Sequence, residues 1–280
     1  MNKHSAAKLG HNSSPTQTFW DHLDELRRVL FRVIAVWLVL AVGYFIAMPY
    51  LFDSVILAPC HNDFIFYDWL RHIGETFQLT DDFFTQEFHV KLININLAAP
   101  FFIHMSTAFW LSVVTAMPYL FFEVWRFVSP ALYPNEQRGV RKALSIGTVM
   151  FFIGVLLGYF MVYPLTLRFL STYQLSAQIE NQISLNSYID NFMMLVLCMG
   201  LAFELPLVTW LLSLLGVVNR SFLRKYRRHA IVIIVIVAAI ITPTGDPFTL
   251  SVVAIPMWLL YEMSILMIKD KKKEAVREAL

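Results

Sequence analysis

Long uninterrupted apolar runs, rather than an amphipathic period, dominate this chain. They predict helical spans at Val29 to Met48, Phe101 to Phe122, Ala143 to Tyr163, Phe192 to Leu215, Ala230 to Ile241 and Phe248 to Ile268. A helix rises about 1.5 Å per residue and a bilayer's hydrocarbon core is about 30 Å thick, so roughly 20 residues are needed to cross it. The fifth run would rise only about 18 Å and cannot cross unaided. The pattern predicts an all-α, polytopic membrane fold: a polar tail over 1–18, a six-helix domain over 19–268 and a basic tail over 269–280.

Composition agrees. The 280 residues are 58% hydrophobic and 15% charged, with a mean hydropathy of +0.59. That is more apolar surface than a globule of this size buries, so the excess is expected to face lipid. The net charge of +2 and the absence of basic blocks interleaved with aromatics argue against nucleic-acid binding. Cys60 and Cys198, one in a loop and one in an apolar run, imply neither a disulfide framework nor a thiolate metal site.

The placement of charge says more than its sum. Of 22 Lys and Arg residues, 19 fall in the two tails, the second and fourth loops and the adjoining span ends; the others are Arg71, Lys91 and Arg168. The positive-inside rule therefore predicts that both termini are cytoplasmic. The N-terminal segment lacks an apolar core ending in a small-residue cleavage site, so no signal peptide is expected. The first outer loop, 49–100, is acidic, but Phe64, Phe66, Trp69, Phe83 and Phe84 predict a folded cap with short helices.

Before the first span, Thr18 with Asp21 resembles a capping box. Phe19, Leu23, Leu26 and Leu30 then recur at helical spacing, as in an interfacial helix entering a membrane with Trp20 at the headgroup level. Glu25 would project near the cytoplasmic boundary. The predicted topology puts Glu136 on the same face, so the two carboxylates could converge on a ligand carrying two guanidinium groups. The simpler alternative is local pairing with Arg27, Arg28, Arg138 or Arg141.

Glu204 is the most unusual acid within a span. It should face protein or water, or be protonated, and the backbone carbonyl freed by Pro206 is a candidate partner. As structural glue or as a functional polar site, both readings stay open. Thr242-Pro243-Thr244-Gly245-Asp246-Pro247 predicts a tight turn with Asp246 capping the last helix. A hairpin this short would match the outer leaflet poorly and thin the bilayer. Glu262 is expected to snorkel or to meet the basic tail.

No metalloprotease, nucleophile-elbow or phosphate-loop motif is present, and the histidines lack metal-ligand spacing, so neither an enzyme nor a cofactor is expected. A proton-coupled solute transporter using Glu204 is the rival class, opposed by the absence of internal repeats. A membrane-embedded enzyme has only isolated acids in its favour.

Several of these segments, in this order, resemble the TatC family, the multi-spanning receptor of the twin-arginine protein translocase. They are His22-Leu23-Asp24-Glu25-Leu26-Arg27, the stretch from Trp125 through Pro130 to Glu136, Phe203-Glu204-Leu205-Pro206, Thr242-Pro243 with Asp246, Ala254-Ile255-Pro256-Met257 and Tyr261-Glu262. The resemblance runs from about Phe19 to Ile268. It implies six helices in a cupped arrangement in the bacterial cytoplasmic (inner) membrane, and export of folded proteins driven by the proton-motive force. It also implies that Glu25 and Glu136 bind the Arg-Arg pair of twin-arginine signal peptides, with Arg27, Phe127 and Arg138 shaping the same surface.

By the same resemblance Glu204 faces the concave side. Small single-span partners of the TatA and TatB type dock at the fifth and sixth helices in a multimeric complex, and Pro59 and Tyr159 occupy further functional positions. The chain departs from the family pattern at Val29, Ala131 and Gln137, in a longer outer loop and in a longer turn at Gly245. Leu250 stands where some members carry glutamine, which shifts the expected docking and turn site to Thr242, Pro243, Asp246 and Thr249.

Overall fold

The computed structural model describes residues 19–77, 90–128, 134–173, 176, 181–214, 216–242 and 244–268, with backbone alone for 19–22, 128, 134–141 and 143. The two tails, and Thr18 of the expected capping box, lie outside the described residues. Helix α1 spans Phe19–Leu51 and α2 spans Ile65–Thr76. Helix α3 covers Ala99–Val128, α4 Pro134–Leu157, α5 Tyr163–Thr172, α6 Leu185–Ala202 and α7 Leu205–Leu214. The short α8, Arg220–Lys225, leads into α9, Arg227–Ile241, and α10, Pro247–Met267.

Among the described residues five helical stretches are long and apolar enough to cross a membrane. They contain, to within a residue at the ends, five of the six runs expected from sequence. The remaining one, the fifth, is α9 with 15 residues, or about 22 Å of helix, and is too short to count by length.

The helices are less regular than the apolar runs suggest, and proline accounts for two of the breaks. The third run extends to Thr172 through a π-turn at Gly158–Val162, with Pro164 at the second position of α5. The fourth run is two helices: α6 ends at Ala202, and α7 begins at Leu205 with Pro206 in its first turn. Proline has no N–H to give and its ring clashes with the carbonyl four residues back, here Phe160 and Ala202. The second break leaves Glu204 in a turn between helices rather than on one.

Helix α1 packs along α3, antiparallel to it. The Trp37 and Phe109 rings meet edge to face at 4.9 Å, the Tyr44 and Thr115 hydroxyls lie 2.8 Å apart, and the Phe45 ring stacks on His104 at 4.2 Å. The rest of α1 is bare: Val39, Val42 and Ile46 are exposed, an apolar surface that calls for lipid.

Helices α4 and α6 approach closely. A Cβ on Gly154 would stand 2.6 Å from the Met199 carbonyl oxygen, and one on Gly200 would stand 2.8 Å from the Phe151 ring. Small residues of this kind let helix backbones touch where no hydrophobic effect drives association.

Of the expected cap, the described residues cover 49–77 and 90–100. Helix α2 buries Phe66, Tyr67, Leu70 and Gly74 along one face, while Trp69 is exposed and Phe83 and Phe84 lie outside the described residues. Three tyrosine hydroxyls hold it: Tyr159 donates to the Val55 carbonyl at 2.8 Å, Tyr188 to Ile56 at 2.6 Å and Tyr67 to Pro59 at 2.8 Å. A fourth, Tyr163, donates to the Tyr188 carbonyl at 3.2 Å and ties α5 to α6. The all-helical expectation misses one detail, a two-residue parallel bridge pairing β1, Leu92–Ile93, with β2, Ile183–Ser184. It ties the segment between α2 and α3 to the start of α6.

Replacing Gly154 by Val should lower the thermal midpoint of the purified protein, as overpacking costs about 1–3 kcal/mol. Gly43→Ala is the control, because nothing lies within 4 Å of the added methyl. Equal melting of the two variants would remove the close α4–α6 approach.

Candidate functional site

Glu25 stands on the second turn of α1, half-exposed. Among the described residues it forms no ion pair, although Arg27 and Arg28 are close in sequence. Both arginines are exposed, and the Arg27 guanidinium lies over the Phe31 ring at 5.6 Å. Phe127 is half-buried in the last turn of α3. Glu136 and Arg138 fall in the first turns of α4, and their side chains lie outside the described residues. The structure therefore places Glu25 and Arg27 near the start of α1, Phe127 at the end of the antiparallel α3, and the backbones of Glu136 and Arg138 at the start of α4. It decides against pairing of Glu25 with Arg27 or Arg28.

Two turns deeper lies a group that sequence reasoning missed. Glu123 on α3 is buried, 1% exposed. Its Oε2 accepts from Arg32 Nη2 of α1 at 2.9 Å, and its Oε1 accepts from the Tyr119 hydroxyl at 2.8 Å. The available signal was one charge of each sign, each isolated in an apolar stretch: Arg32 inside the first run and Glu123 just past the second.

Glu204 is 7% exposed, and neither carboxylate oxygen has a hydrogen-bond partner among the described residues. The expected contact with the carbonyl freed by Pro206 does not form. One oxygen instead lies 3.0 Å from the position of a Cβ on Gly147, beside Leu207. Leu207 also lines a mostly apolar cleft of about 450 Å³ between α4, α7 and α10, walled by Ile146, Met150, Trp210, Met263 and Met267, with Lys142 as its one charged residue among those described. An acid without a partner, set beside an apolar cleft, is costly unless it is neutral or meets a polar ligand.

Glu262 meets Arg227 at 2.6 Å and so ties the first turn of α9 to α10; the basic tail, its other expected partner, lies outside the described residues.

At the α9–α10 turn, Gly245 takes φ +58°, a conformation that glycine adopts without strain. Asp246 caps α10, accepting from the Thr249 N–H at 2.7 Å and the Thr244 hydroxyl at 2.6 Å. Thr242 and Thr249 are both buried, and Pro243 lies outside the described residues. Pro59 and Tyr159 both belong to the tyrosine-held cap: the Pro59 carbonyl accepts from Tyr67, and Tyr159 donates to Val55 while its ring meets Phe64 and Phe192 edge to face.

The chain matches the family described as Sec-independent protein translocase protein (TatC) over residues 21–256. It is 32% identical over 255 residues to the Sec-independent protein translocase protein TatC of Blattabacterium sp. subsp. Periplaneta americana, covering 91% of this chain and 96% of that protein. It is 34% identical over 249 residues to the Deinococcus radiodurans protein of the same name, covering 89% and 84% respectively. Among solved structures it resembles a crystal structure of the twin-arginine translocase receptor TatC, with a TM-score of 0.68 at 31% identity over 88% of this chain and 96% of that one. A second crystal structure of that receptor, in DDM, gives a TM-score of 0.69 at 30% identity, covering 89% and 100%.

Partial burial raises the Asp246 carboxyl pKa, but the hydrogen bonds from Thr244 and Thr249 outweigh this and hold it below its ordinary 3.8. A depressed carboxylate stabilises the fold above its unfolded-state pKa, and that contribution fades as pH falls through the lower folded-state value. Asp246→Ala should lower the melting midpoint at pH 7, since losing a helix N-cap costs about 0.5–2 kcal/mol. The gap between variant and parent should close below pH 4; a gap that persists there would show that the charge of the cap does not matter.

Proposed function

Because the chain belongs to the TatC family of Sec-independent protein translocase proteins, we propose that it is the receptor and core subunit of a twin-arginine translocase in a bacterial cytoplasmic membrane. In this reading Glu25 and Glu136 bind the paired arginines of a signal peptide, and Arg27, Phe127 and Arg138 shape the surface around them. The observation that carries it is Glu25 itself, an acid that forms no ion pair among the described residues although two arginines stand beside it. Paired planar guanidinium groups offer carboxylates a bidentate fit that two ammonium groups lack.

Six spans with both termini in the cytoplasm complete the reading. The Lys and Arg asymmetry supports this orientation, most clearly in Arg220, Arg224, Lys225, Arg227 and Arg228 against a Thr242 to Pro247 turn without a basic residue. Helix α9 is then the short fifth span, under which the bilayer thins. The signal helix lies in the concave groove past Glu204. Small single-span partners of the TatA and TatB type dock on α9 and α10, where Val232, Ile236 and Ile240 offer exposed apolar surface. The proton-motive force drives export of the folded cargo through the resulting multimeric complex.

The direct test is photocrosslinking from position 24 to a precursor carrying Arg-Arg or Lys-Lys, in native membranes. Crosslinking should require Arg-Arg and disappear in Glu136→Gln; equal crosslinking of both precursors would refute the carboxylate site. Glu204→Gln should still bind the precursor and fail in export, whereas proton-linked solute uptake by vesicles, lost in this variant, would favour a transporter instead.

A further inference from the structure

Polar contacts between α1 and α3 are few and unequal. Toward the outer end they consist of the Tyr44–Thr115 hydroxyl pair and His104 Nε2 with the Phe45 carbonyl, 2.7 Å apart. Toward the other end the last such contact among described side chains is the Arg32–Glu123 ion pair. Beyond it the two helices carry Glu25 and Phe127.

The spacing is specific. Glu25 precedes Arg32 by seven residues, two helical turns, so the two lie on the same face about 10.5 Å apart along the axis. Phe127 follows Glu123 by four residues, one turn, on the same face of α3 and about 6 Å further along. The ion pair therefore sits directly beneath the surface that these two residues form.

Apolar side chains of similar shape allow helices to slide and rotate in lipid, because lipid gives no hydrophobic drive toward one arrangement. A carboxylate engaged at both oxygens is different. Glu123 accepts from Arg32 across the interface and from Tyr119 on its own helix, so Tyr119 fixes the rotamer that Arg32 must meet. Any other register would leave a buried carboxylate unpaired, which is strongly unfavourable.

We infer that Arg32 and Glu123, with Tyr119, are positioning residues that set the register and rotation of α1 on α3 and so hold Glu25 at a fixed distance from Phe127. The consequence for recognition rests on the receptor reading above; the geometric claim does not. The pair touches no ligand. Its effect is to pre-organise the surface, so that binding need not first order the end of α1.

The test uses the full-length protein in nanodiscs of phosphatidylethanolamine and phosphatidylglycerol. Spin labels at positions 24 and 124, on a background lacking Cys60 and Cys198, report the distance between the helix ends, and an Arg-Arg signal peptide is titrated against its Lys-Lys counterpart. Arg32→Met should broaden the distance distribution, weaken Arg-Arg peptide binding about tenfold and reduce the preference over Lys-Lys. The charge swap Arg32→Glu with Glu123→Arg should narrow the distribution again and recover most of the affinity.

An unchanged distribution in Arg32→Met overturns the inference, as does a folded swap that restores neither readout. Should the swap not fold, Arg32→Lys decides: it keeps the charge, so a narrow distribution supports the pair and one as broad as that of Arg32→Met overturns it. A parent protein that binds both peptides equally would refute the receptor reading, while the label distances would still decide the register claim.

Discussion

A backbone group freed where a helix breaks has no water to turn to in an apolar surrounding, and much of this molecule is organised by how that shortage is met. The chain leaves α1 through a π-turn and a 3-10 turn between Phe52 and Cys60. Three carbonyls of this passage, from Val55, Ile56 and Pro59, each accept from a tyrosine hydroxyl reaching across from another element. Tyrosine suits the task because its ring fills apolar space while its single polar atom reaches a partner. The tyrosines thus do double duty, packing the outer core and satisfying the irregular backbone that folds over it.

The acids divide on the same principle. Glu123 and Glu262 each meet an arginine of another helix, which neutralises the charge and ties two elements together. Glu25 and Glu204 have no such partner among the described residues. Glu25 stands half-exposed at a helix end, where water screens it, while Glu204 is enclosed beside an apolar cleft. The two settings differ physically: water screens the charge of one acid, while burial penalises the charge of the other.

Helix α9 shows how a short element is kept in place. It buries only Ile234, Ala238 and Ile241, so packing alone holds it weakly. The Arg227–Glu262 pair anchors its first turn, and the capped Gly245–Asp246 turn anchors its end. Clamped at both ends, it leaves most of its apolar surface open.

The sequence by itself determined the helical class, the approximate places of five long apolar helical stretches and the capped turn at Asp246, because apolar run length and turn chemistry are local properties. It marked Glu204 as an acid in an unusual place for the same reason. Proline pointed to breaks whose form it could not specify: Pro206 was legible, but that Glu204 would sit in the turn before it, without a hydrogen bond, depends on α4 passing close by at Gly147. The pairing of Arg32 with Glu123 and of Arg227 with Glu262 was decided only by tertiary structure. Residues 91 and 35 positions apart meet because whole helices pack at one register, and register is set by the sum of many side-chain contacts along two surfaces rather than by any local pattern.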